Sequence, residues 1–106
     1  MSEIKDTKIT MLRNTTQNAV SELLSISEDK YGEIVSEQCE RIAIEIGNML
    51  APQIYGNRAH GISNAVSVCI RHCSEALFWL DMAKEEPESA IQAVNDLIKF
   101  LSSPML

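Results

Sequence analysis

Ile62-Ser63-Asn64-Ala65-Val66-Ser67-Val68-Cys69-Ile70-Arg71-His72-Cys73-Ser74-Glu75-Ala76-Leu77-Phe78-Trp79-Leu80-Asp81-Met82-Ala83 decides the fold class. Its apolar positions Ile62, Val66, Cys69, Cys73, Ala76, Leu80 and Ala83 recur at steps of 4, 3, 4, 3, 4 and 3. That period puts one apolar seam along one face of a long helix. A strand would need alternation, and none is present.

The same reading extends to both sides. Upstream, Ile9, Leu12, Thr16, Ala19/Val20 and Leu23 mark a helix over residues 6–24. Ser25 and Glu28 match a capping box. Tyr31, Val35, Cys39, Ile42, Ile46 and Met49 mark a second helix over 27–51, which Pro52 is expected to stop. On its other face Glu33, Glu37, Glu40 and Arg41 lie together, with Glu37 and Arg41 at the favourable i,i+4 spacing. The third helix is expected over 58–85. The fourth spans 87–102, with Pro87 at its first position and Ala90/Ile91, Val94, Leu97/Ile98 and Leu101 facing inward. The links are short, so neighbours should run antiparallel. The expectation is a single all-α domain over residues 1–106, an up-down four-helix bundle.

A chain of 106 residues suits one domain. It excludes a barrel enzyme or a full dinucleotide-binding sheet. Four Gly and three Pro are too few for a turn-rich β domain. The net charge of −6 disfavours non-specific nucleic-acid binding. That charge is concentrated in residues 21–50, which sum to −5, while residues 51–80 sum to +1 and hold both histidines, His60 and His72. The longest unbroken apolar run, Ala76 to Leu80, is five residues, so no membrane span is expected. The start Met1-Ser2-Glu3-Ile4-Lys5-Asp6 lacks a secretion signal, and three cysteines form no disulfide framework. Both point to a cytoplasmic protein.

Several groupings could carry chemistry. Cys69, His72 and Cys73 share reach of one helix face and suit zinc, yet both cysteines sit on the apolar seam, where a free thiol is an ordinary core residue. No metal or other cofactor is therefore expected. No Glu-x-x-His pair, G-x-S-x-G, P-loop or H-E-x-x-H occurs. The chain is accordingly read as non-enzymatic. Asn57, His60, Asn64, Ser67, Arg71 and Ser74 form a polar stripe opposite the seam of helix three. Its ordinary reading is a weakly charged exposed or subunit-facing face. Its functional reading is a cradle for an anionic, nucleotide-like ligand. Arg58, His60 and Arg71 would then meet the charge, Asn64 and Ser67 the polar edges, and Tyr55 or Trp79 a base. Ile44, Ile54, Tyr55, Ile70, Leu77, Phe78, Trp79 and Phe100 exceed what one small core needs, which favours a homo-oligomer or another partner.

The stretch from Ser74 through Glu85 resembles the third helix of the small bacterial four-helix-bundle proteins encoded in ribosomal RNA intervening sequences. With the lead-in Ile54-Tyr55-Gly56-Asn57-Arg58, the resemblance covers about 25 residues. Those proteins are similar to pentameric, nucleic-acid-binding accessory factors of diversity-generating retroelements. The family's Asn-Ile-Ala-Glu-Gly signature is absent here, and the chain is acidic where the family is basic, so the resemblance implies the bundle and not the nucleic-acid binding. Glu75-Ala76-Leu77-Phe78-Trp79 also resembles the closing helix of small phage proteins, some of which are oligomeric sponges for the cyclic nucleotide messengers of bacterial defence.

The leading expectation is a small acidic bundle that binds a protein partner, as adaptor, immunity-type inhibitor or assembly subunit. Glu33, Glu37 and Glu40 would steer a basic partner, and Ile70 and Phe78 would join the contact. The alternative is an oligomeric small-ligand binder of the sponge type.

Overall fold

The computed structural model describes residues 2–56 and 62–103. The described residues are helical, with no strand among them. They form α1 (Ser2–Leu24), α2 (Glu28–Tyr31), α3 (Glu33–Tyr55), α4 (Ile62–Asp81) and α5 (Glu88–Leu101). None is long and apolar enough to cross a membrane. α1 packs on α3 and α5, α4 packs on the same two, and the single turn of α2 packs on α3.

The apolar seams become the core. Leu12, Ala19 and Leu23 of α1 are buried, as are Val35, Cys39, Ile42 and Ile46 of α3. Cys69, Cys73, Ala76 and Leu80 of α4 and Ala90, Val94, Leu97 and Leu101 of α5 complete it. Each fully buried Leu or Ile contributes about 1.5–3 kcal/mol against an exposed one. The polar stretch of α1 enters the core at Thr16, whose buried Oγ1 accepts and donates nothing. An unmatched buried hydroxyl costs about 1–3 kcal/mol.

Several expected boundaries move, beginning with α1, which starts at Ser2 and not near residue 6. The helix expected over 27–51 is two helices, because Gly32 takes φ 110°, a conformation that only glycine adopts without strain. The Gly32 N–H donates to the Glu28 carbonyl and closes α2, while the Gly32 carbonyl accepts from Ser36 N–H and opens α3. The cap is Ser27, whose hydroxyl accepts from the Lys30 N–H, and Ser25 instead donates back to the Ser21 carbonyl. Pro52 does not end α3, which runs on to Tyr55. Proline there forfeits one backbone bond, and packing of the half-buried Ile54 against the core offsets part of the loss. α3 stops at Gly56, whose N–H donates to the Pro52 carbonyl at 2.9 Å. A Cβ at Gly56 would lie 2.8 Å from that oxygen, so a side chain is excluded. Lastly, α4 ends at Asp81 and not near 85, and Pro87 is the residue before α5 and not its first. The Lys84 N–H reaches the Tyr31 carbonyl at 3.2 Å and ties that link to α2.

Candidate functional site

α3 carries two different flanks. One row runs Glu33, Glu37, Glu40, Ile44, Gly47, Ala51 and Tyr55, at steps of 4, 3, 4, 3, 4 and 4 along one side of the helix. Its first three members are exposed carboxylates. Its remaining members are apolar or small, with Ile44 53% and Tyr55 69% exposed. Beside them a groove of about 490 Å³ opens between α1 and α3. Val20 and Leu24 of α1 and Gly47, Ala51 and Ile54 of α3 line it. A Cβ placed on Gly47 would meet nothing within 4 Å.

The opposite flank of α3 meets α4 through charge. Arg41 Nη1 donates to Glu45 Oε1 at 2.9 Å, and its Nη2 donates to Glu75 Oε2. Its Nε and Nη2 also donate to Gln38 Oε1 at 3.0 and 2.7 Å. The bond to Glu75, more than any other contact, holds the guanidinium above its usual pKa. Arg41 is therefore engaged here and not with Glu37, as its spacing had suggested. His72 Nδ1 lies 3.3 Å from Glu45 Oε1 and 4.0 Å from Glu75 Oε1. Glu45 and His72 also line a cavity of about 450 Å³ between α3 and α4, together with Asn48, Pro52, Gln53 and Asn64. Gln53 is 7% exposed and its Oε1 has no hydrogen-bond partner.

The sequence grouping of Cys69, His72 and Cys73 separates. Both cysteines are fully buried in the core, while His72 turns to the carboxylates. The Cys69 thiol is pushed up by its hydrogen bond to Cys73 and then by burial. Burial pushes Cys39 up to about 11. All three cysteines are buried, so none should react with a disulfide reagent in the folded protein. The expected result is no colour from a dithiobisnitrobenzoate assay in buffer and three equivalents in denaturant. Rapid labelling of the native chain would contradict their burial.

Of the polar stripe, Asn64, Ser67, Arg71 and Ser74 are exposed along α4. Of these four, Asn64 alone lines the α3–α4 cavity. Asn57, Arg58 and His60 lie outside the described residues. Trp79 is half-buried, edge-on to Phe78 at 5.2 Å, and Tyr55 is exposed at the end of α3. Ile70 is half-buried against the core, and Phe78 is 59% exposed. The sequence reading missed Arg41, Glu45, Glu75 and Gln53. Arg41 to Glu45 and His72 to Glu75 were visible as intrahelical spacings, but their meeting is a property of the packed helices. Compared with protein-family models, curated proteins and solved structures, the chain matches none.

Proposed function

We propose that this protein is a non-enzymatic binding module that docks a helix of a partner protein along the α1–α3 groove. One observation carries the reading: the α3 row passes from three exposed carboxylates into an apolar, small-residue stretch where the groove opens. A helix with aliphatic side chains on one face and Lys or Arg at one end is the complementary shape and charge. A second copy is the poorer occupant, because it brings a net charge of −6 and the same acidic row.

The proposal takes the four long helices as an up-down bundle. Arg41 pairs with Glu75, and Glu45, one turn later on α3, meets His72, about one turn earlier on α4. That is an antiparallel register. The alternative function, a small-ligand binder, keeps one supporting feature: the cavity with Asn48, Asn64 and the unpartnered Gln53 in its walls.

The test uses an amphipathic Leu/Lys helical peptide as the probe and fluorescence anisotropy as the readout. Gly47→Trp fills the groove from a position where a side chain has room, and should weaken binding at least tenfold while the helical circular dichroism is kept. Lys at positions 33, 37 and 40 together should slow association and flatten its salt dependence. Phe78, expected from the sequence to join the partner contact, lies on α4 outside the groove lining, so Phe78→Ser should bind as the wild type does. Equal binding by Gly47→Trp would remove the groove. A concentration-dependent dimer that Gly47→Trp abolishes would assign it to a second copy.

A further inference from the structure

The Arg41–Glu45–His72–Glu75 cluster serves neither the groove nor the core. One ligand atom from each of Glu45, His72 and Glu75 lies within 4.8 Å of the others. We propose that these three side chains form a binding site for a divalent transition ion of the zinc class, held between α3 and α4, for which Arg41 is the resident substitute cation.

The spacing is the first argument. Two ligand atoms on a tetrahedral zinc, each about 2.1 Å from it, lie about 3.4 Å apart. His72 Nδ1 and Glu45 Oε1 are 3.3 Å apart. Glu75 Oε1 lies 4.0 Å from His72 Nδ1 and must close by about 0.6 Å there, and the Glu45 and Glu75 oxygens, within 4.8 Å of each other, must close by up to about 1.4 Å. Helix geometry supplies the preorganisation: His72 and Glu75 sit three apart on α4, one above the other, and Glu45 faces them from α3.

The donor set is the second argument. One imidazole with two carboxylates suits zinc, whereas calcium and magnesium take oxygen shells. Three protein ligands leave a fourth position. Glu45 and His72 border the 450 Å³ cavity, whose wall holds the nine-tenths-buried Gln53 with an unpartnered Oε1. Asn48, one turn after Glu45 on α3, lines the same cavity, whereas Gln53 and Asn64 lie about 12 Å along their helices from Glu45 and His72 and take no part in the site.

Arg41 now neutralises the two carboxylates. Its side chain is 40% exposed, so it can swing into water on its aliphatic stem when an ion enters. The ion and the guanidinium then compete for the same oxygens. Removing Arg41 should strengthen metal binding, the opposite of what a ligand or a merely structural residue would do.

Zinc chloride titrated calorimetrically into the chelator-stripped full chain is expected to bind one ion per chain. His72→Ala and Glu75→Gln should each weaken it at least ~10-fold. Arg41→Ala should tighten it roughly tenfold, because the guanidinium then no longer competes for the Glu45 and Glu75 oxygens or repels the dication. Glu75→Gln keeps a hydrogen-bond acceptor for Arg41, so it tests the site even if His72→Ala unfolds. Cobalt(II) should give the visible bands of a nitrogen and oxygen site with no sulfur charge-transfer band. No binding by either the wild type or Arg41→Ala would overturn the proposal. So would unchanged affinity in Glu75→Gln, or a cobalt–sulfur band, which would assign the ion to the cysteines.

Discussion

Leu80→Ala should lower the unfolding free energy by about 3 kcal/mol and the melting temperature by roughly 12 °C or more. Leu80 is 1% exposed and closes the α4 seam below Ala76 and Cys73. Truncation removes three carbons from the packed interior and leaves a hole that the neighbours fill only in part. The magnitude matters, because a domain of this size holds only about 5–15 kcal/mol in total. Phe78, two residues earlier, is the internal control. It is larger but 59% exposed, and its main close partner is the Trp79 edge. Phe78→Ser should cost less than about 1.5 kcal/mol, the worth of an aromatic pair. Urea unfolding of both variants checks the contrast. Equal losses would mean that Phe78 is covered, or that Leu80 is not the seam residue described.

Pro52→Ala should move stability the other way, by about 1–2 kcal/mol upward. A proline inside a helix costs about 3 kcal/mol through its missing N–H and its clash with the carbonyl four residues back. Part of that returns because proline also restricts the unfolded chain, by up to about 1 kcal/mol. The variant restores a bond to the Asn48 carbonyl within α3. The expected readout is a melting temperature higher by roughly 5–10 °C. A loss of stability would show that the Pro52 ring packs against the wall of the α3–α4 cavity more usefully than the restored bond.

These two residues also show what the sequence could and could not reveal. The position of Leu80 was legible because burial follows a period, and a period is written in one dimension. Val35, Cys39, Ile42 and Ile46 were legible for the same reason. Gly32 was not, since the step from Tyr31 to Val35 stays in register across it and hides a break one residue wide. Pro52 misled because the rule that proline ends helices is local, whereas the residues that carry α3 past it are buried by other helices. Ser25 satisfied the capping-box pattern with Glu28, whereas Ser27, with Lys30 three residues on, did not, yet Ser27 is the cap. The choice between them depends on where Ile26 is buried, and its carbonyl accepts from Ser36 Oγ at 2.8 Å. The acidic row of α3 could be read from spacing alone. The groove beside it and the pairing of Arg41 with Glu75 could not, because each needs two helices placed side by side.

The contact between α1 and α5 has a further consequence, for the order of assembly. The other pairings among the long helices join segments close in sequence, but α1 meets α5 across the whole of α2, α3 and α4. Loop-closure entropy makes that seam the last to form. α5 has 14 residues, a length at which an isolated helix is marginal in water. It persists because Val94 and Leu97 are sunk into the core. When the seam opens, α5 is held by α4 alone, and α1 by α3 alone. The chain's breathing therefore begins at its C-terminal helix, and amide protons there exchange through an opening much smaller than global unfolding.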